Sequence, residues 1–138
     1  MTAATEGHMA KARDFLAKAR IMLDAGLPDE AGRAAYLAGF HAAQAVLARR
    51  SGRTAKTHSG VRPSFAAAVR DDPRFGPEQR AFLARGYGVK TVSDHGVDPA
   101  LRVTPERAAE VMRAAERFVS AVEAALASGD GGDPEPPG

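Results

Sequence analysis

The chain has 138 residues, enough for one domain and too short for two of ordinary size. It contains no cysteine, which excludes a disulfide scaffold, a Cys-ligated zinc or iron–sulfur site and thiol catalysis. Charged residues are 26% and the hydrophobic set 44%, a globular balance rather than a disordered one; alanine supplies 30 residues while β-branched and aromatic types are sparse, which favours helices.

No apolar run approaches the roughly 20 residues of a membrane span. Met1 to Gly7 lacks a basic stretch followed by an apolar core, so no signal peptide is expected and the expected setting is cytoplasmic. The formal charge of +2 hides an asymmetry. Residues 49–90 hold ten basic and three acidic side chains, a local excess of +7, so the remainder carries −5. A basic middle between acidic ends suggests a surface for a polyanion, although a solvated charge run is the commoner explanation.

The first predicted helix runs from about Ala3 to Ala25, with Met9, Ala12, Phe15, Leu16, Ala19, Met22 and Leu23 on one stripe, and Gly26 stops it. In this segment His8 is expected to be exposed near a fraying terminus. The second helix opens at Pro28, with Asp29 and Glu30 complementing its positive end, and continues to about Arg50 before Gly52. On it Arg33, Tyr36, Leu37, Phe40, Gln44 and Leu47 share one sector, and the opposite sector holds the slim Ala35, Gly39, Ala42 and Val46. A helix apolar on two sides belongs at the centre. Arg33 and Gln44 stand out within the aromatic sector: a buried guanidinium is costly, so Arg33 either meets a partner or a cleft, or snorkels to water or a carboxylate.

A basic connector follows, then a short apolar piece around Phe65 to Val69, and Asp71, Asp72, Pro73 and Gly76 make the next break. The third long segment begins at Pro77-Glu78 and ends near Gly96, weakened by Gly86 and Gly88. The last helix has a Thr104 N-cap, Pro105 at its first position and an apolar stripe from Ala108 to Leu126. The fold expected is an all-α, up-and-down bundle of four main helices plus a short helix over residues 1–128. The Gly/Pro/acidic stretch 129–138 is expected to be a disordered tail.

The chemistry is sparse. There is no HExxH spacing and no cysteine, so no metal site and no cofactor are expected. Gly86-Tyr87-Gly88 lacks the strand that gives a phosphate loop its meaning, and Ser93-Asp94-His95 cannot form a triad because neighbours on a helix diverge. Two clusters remain. Lys56-Thr57-His58-Ser59-Gly60 can hold a phosphate, or simply open a helix with Thr57 or Ser59 as its cap. Lys90 and His95 lie about 140° apart on a regular helix, converging only if the helix breaks or two subunits meet; His95 is otherwise a capping histidine.

These residues carry a resemblance. The block Arg33 to Ala45, the Lys56-Thr57-His58-Ser59-Gly60-Val61 element, and Lys90 to His95 ahead of a helix ending in Phe118-Val119 together resemble the HEPN family of small helical nucleotide-binding domains. The likeness covers roughly Ala10 to Ala127. It implies a homodimer, often partnered by a minimal nucleotidyltransferase, and in many members a metal-independent ribonuclease of toxin–antitoxin or defence systems. The family signature, an arginine followed four to six residues later by histidine, falls on Lys90 and His95, with lysine in the arginine position. On this reading His95 and Lys90 are the catalytic candidates, and Arg33, Lys56 and His58 bind RNA. His95 would move protons near neutral pH, while Lys90 supplies charge without the fork of arginine. The alternative is a non-catalytic module that binds a nucleotide or docks on a nucleotidyltransferase.

Overall fold

The computed structural model describes residues 2–96, 98 and 102–128. It is an all-α bundle in the order α1 (Ala3–Asp24), α2 (Pro28–Ser51), α3 (His58–Ala68), α4 (Pro77–His95) and α5 (Pro105–Ala127). The tail expected over 129–138 lies outside the described residues.

Local chemistry sets the ends. Thr2, Thr57 and Thr104 each accept the backbone N–H three residues on, satisfying one of the orphan donors of α1, α3 and α5. Helix α1 closes in a Schellman motif: the Gly26 N–H donates to Leu23, the Leu27 N–H donates to Met22, and Gly26 supplies the left-handed φ of 78°. The short helix is longer than the apolar piece at 65–69 suggests. Capped by Thr57, it begins at His58, and Val61 and Phe65 turn inward.

Helix α2 is the central element, packed against all four others, with 16 of its 24 residues buried. Its slim positions let α4 approach closely. A Cβ on Gly39 would enter the ring of Phe82, one on Gly32 would come 2.6 Å from Val89, and one on Gly86 of α4 would come 2.8 Å from Tyr36. The glycines that weaken α4 by propensity therefore include one that packing requires. Phe65, Phe75, Phe82 and Phe118 form an aromatic cluster tying α3, α4 and α5 together, with ring centroids 5.1–6.5 Å apart.

The embedded amide on α2 has a structural task. Gln44, 4% exposed, donates Nε2–H to the Ala55 carbonyl and accepts the Ala55 N–H on Oε1, both at 2.8 Å, and so clamps the α2–α3 connector. A Gln44→Leu substitution should cost about 1–3 kcal/mol, because Ala55 loses both partners, and should speed proteolysis between Gly52 and Thr57. Limited proteolysis of the two proteins checks this; equal cleavage rates would remove the clamp from the account.

The basic middle is partly structural as well. Asp72, 7% exposed, receives Arg50 at 2.6 Å and Arg74 at 2.9 and 3.1 Å. Arg80 donates to the carbonyls of Val69, Arg70, Asp72 and Phe75, holding the α3–α4 turn. Arg49 is buried. Only Arg53, Lys56, Arg62, Arg70, Arg80 and Arg85 of the ten basic residues are exposed, and Arg80 is engaged with backbone carbonyls, so the surface excess is smaller than the sequence count.

Candidate functional site

Two triplets face each other across α2 and α4. Arg33, Tyr36 and Phe40 repeat at i, i+3 and i+7 on α2, and Tyr87, Lys90 and Asp94 repeat at the same spacing on α4. Helix α3 brings His58 and Arg62 to the same place. Tyr36 is 1% exposed, and its hydroxyl shares a 2.8 Å hydrogen bond with His58 Nδ1. The His58 ring lies 4.4 Å from the Phe40 ring and 5.9 Å from Tyr87, and the Arg62 guanidinium sits 5.6 Å from the Tyr87 centroid. Asp94 joins the helices: Arg33 Nε donates to one carboxylate oxygen at 3.0 Å, and Lys90 Nζ donates to the other at 2.6 Å.

The electrostatics follow from this crowding. Burial, with Lys90 and Arg33 nearby, pushes the His58 imidazole below its ordinary value, so it is neutral at pH 7. Burial pushes the Tyr36 phenol up, so it stays protonated. The Lys90 hydrogen bond and charge, helped by Arg33, hold the Asp94 carboxyl below the usual range. The result is a cluster of three cationic side chains, one carboxylate, a neutral imidazole and Tyr87, which is 37% exposed.

Of the residues singled out from sequence, Arg33, His58 and Lys90 come together. Arg33 meets the carboxylate foreseen as one of its possible partners. Lys56 is exposed two residues before His58, in the connector. His95 is the last residue of α4, exposed, and the helix runs unbroken from Lys90 to His95. At five residues' separation they project in different directions from one chain. Tyr36, Arg62, Tyr87 and Asp94 join Arg33, His58 and Lys90, and the sequence reading gives none of these four a site role. The matching i, i+3, i+7 spacing on α2 and α4 is the signal that could have found most of them.

His8 departs from expectation. It is half-buried and pairs Nδ1 to Nδ1 with His41 at 3.0 Å; their ring centroids are 5.2 Å apart, so the nitrogens point at each other nearly in line. One N–H donates to the other ring's bare nitrogen. Phe15 stacks on His41 at 5.6 Å, and this aromatic lining anchors the N-terminal turns that local propensity alone leaves fraying. Among the described residues no group of three or more His, Cys, Asp or Glu could hold a metal ion. In a separate groove between α4 and α5, Arg107 and Arg117 are already paired with Glu110 and Glu78.

The HEPN domain is the family whose model matches this chain, over residues 5–125. The chain belongs to the HEPN family. No curated protein matches it. The HEPN domain thus takes in all of α2, α3 and α4, and the Arg33–Lys90–His58 cluster lies wholly within it. No helix among the described residues of this HEPN protein is long and apolar enough to cross a membrane.

Proposed function

We propose that this HEPN protein binds single-stranded RNA on the side-chain cluster that α2, α3 and α4 form, as a binding module that does not cleave RNA by itself. The observation that carries this reading is the convergence of Arg33, Arg62 and Lys90 with an exposed tyrosine face, while His95 projects away from Lys90 on the same helix. Phosphate oxygens suit Arg33 and Lys90, and an unstacked base suits Tyr87. Exposed Lys56, two residues before His58, adds a further positive charge in the neighbouring connector. In the tautomer in which the Tyr36 phenol donates to Nδ1, neutral His58 carries its proton on Nε2 and offers an N–H donor there.

Arg33→Ala and Lys90→Ala should each weaken binding of a labelled single-stranded RNA about 3- to 10-fold at low salt and flatten the salt dependence. Fluorescence anisotropy over a range of salt concentrations measures both. Salt-independent binding, or no loss in either variant, would overturn the reading.

A second reading keeps the nuclease. His95 is exposed at the end of α4, beside Asp94, so a second copy of the chain could bring its own His95 towards Lys90. It requires the homodimer, for which sedimentation gives a direct check. Incubation of labelled RNA with the pure protein and a chelator then decides: cyclic-phosphate ends lost in His95→Ala support an enzyme. Intact RNA, together with tight association with a minimal nucleotidyltransferase, supports the module.

A further inference from the structure

We propose that Asp94 is an internal anion seated where an RNA phosphate belongs, and that RNA binds the cluster by displacing it from Arg33 and Lys90. This rests on the RNA-binding reading above. Two observations single out the carboxylate. It bridges cations from two different helices, one to each oxygen, at 3.0 and 2.6 Å, as a phosphate group would. It also lies in the last turn of α4, where the helix dipole disfavours a negative charge, so the helix itself does not account for an acid there.

The alternative task for Asp94 is to staple α2 to α4. The fold supplies that connection elsewhere. Gly32 and Gly39 let α2 pack directly on Val89 and Phe82, and Ser93 Oγ donates to the Asp29 carbonyl at 2.9 Å. Asp29 in turn accepts the Val103 N–H at 3.2 Å, tying the start of α2 to the approach to α5. Arg33 remains 46% exposed, and an ion pair so open to water adds little stability. Lys90 and Asp94 are more covered, at 17% and 22%, which keeps the pair in contact without burying it. A carboxylate in this seat lowers affinity for any single anion and leaves the cluster responsive to a strand that brings several phosphates and a base at once.

The test compares wild type with Asp94→Asn, Asp94→Ser, Arg33→Ala and Lys90→Ala, using a fluorescein-labelled single-stranded RNA of twelve nucleotides and a thermal melt of each protein. Both Asp94 variants should bind RNA about tenfold tighter at low salt. Their log–log salt slope should steepen by about 0.7, one more phosphate neutralised on a single strand, with melting temperature nearly unchanged. Tighter binding in either folded Asp94 variant supports the proposal. A lower melting temperature with unchanged or weaker binding in both makes Asp94 a staple and overturns it, while loss of binding in the Arg33 and Lys90 variants leaves the RNA reading standing. If none of the four alters binding, the RNA reading fails as well.

Discussion

Replacing Gly39 by alanine should destabilise the protein by about 1–3 kcal/mol, while the same replacement at Gly88 should stabilise it by about 0.5–1 kcal/mol. Both glycines lie inside helices with negative φ, so alanine gains the same helix propensity at each. The difference is what the new methyl meets. At Gly88 it meets nothing within 4 Å. At Gly39 it enters the Phe82 ring, whose Cδ1 and Cζ atoms would lie at 2.8 and 3.0 Å. Phe82 is 3% exposed and stacked on Phe118 at 5.1 Å, so the ring cannot swing into water and α4 must move instead. Because Lys90 and Asp94 sit about two and three turns along that helix, the Gly39 variant should also bind RNA less well. Urea denaturation of both variants checks the opposite signs; equal shifts would mean that α2 and α4 are not in direct contact at Gly39.

Acid should lower the stability of the protein in two separable pH windows. The His41 imidazole is held down to about 4, chiefly by burial and then by His8, and His8 itself is lowered by burial. Between pH 6.5 and about 4 the unfolded chain therefore binds protons that the folded chain refuses, and stability falls as pH falls through that window. The partly open position of the pair limits the loss to about 1–2 kcal/mol. The second window belongs to Asp72. Hydrogen bonds from Arg74, joined by Arg50 and opposed by burial, hold its carboxyl well below the usual carboxylate range. Its contribution is complete above about pH 3.9, the ordinary value, and is lost as pH falls below that.

Each window has its own variant. His41→Phe keeps the aromatic packing on Phe15 and should flatten stability between pH 6.5 and 4. Asp72→Asn should leave that slope intact, remove most of the loss below pH 4, and cost about 2–4 kcal/mol at neutral pH by leaving two arginines without their buried acid. Urea melts at half-unit steps of pH measure both. Acid loss of stability in a single window, unaffected by His41→Phe, would show that the histidine pair does not couple to folding.

How much of this was legible in the chain depended on the range of the interaction. The ends of α1, α2, α4 and α5 were readable because Gly26, Pro28, Pro77, Thr104 and Pro105 act on neighbours within a turn. The start of α3 was a Thr57 cap whose local signal competed with the connector reading, and only the burial of Val61 and Phe65 resolved it. Gln44 announced itself as misplaced, yet its partner Ala55 lies eleven residues on, across a turn that periodicity does not describe. His8 found His41 at a separation of 33 residues, and Arg33 found Asp94 at 61.

Composition, 3.6-residue periodicity and local capping in the sequence determined the all-α class and the central place of α2 and drew attention to Arg33; only the resemblance to the HEPN family made Lys90 and His95 the catalytic candidates. Tertiary structure decided which cations remain available and which are taken up by Asp72 and by backbone carbonyls. It also placed Asp94 between Arg33 and Lys90, and left His95 on another side. The physical reason is that a charge is defined by what lies within a few ångströms of it. In a bundle, those neighbours come from helices that pack together only because glycines at 32, 39 and 86 let the backbones approach.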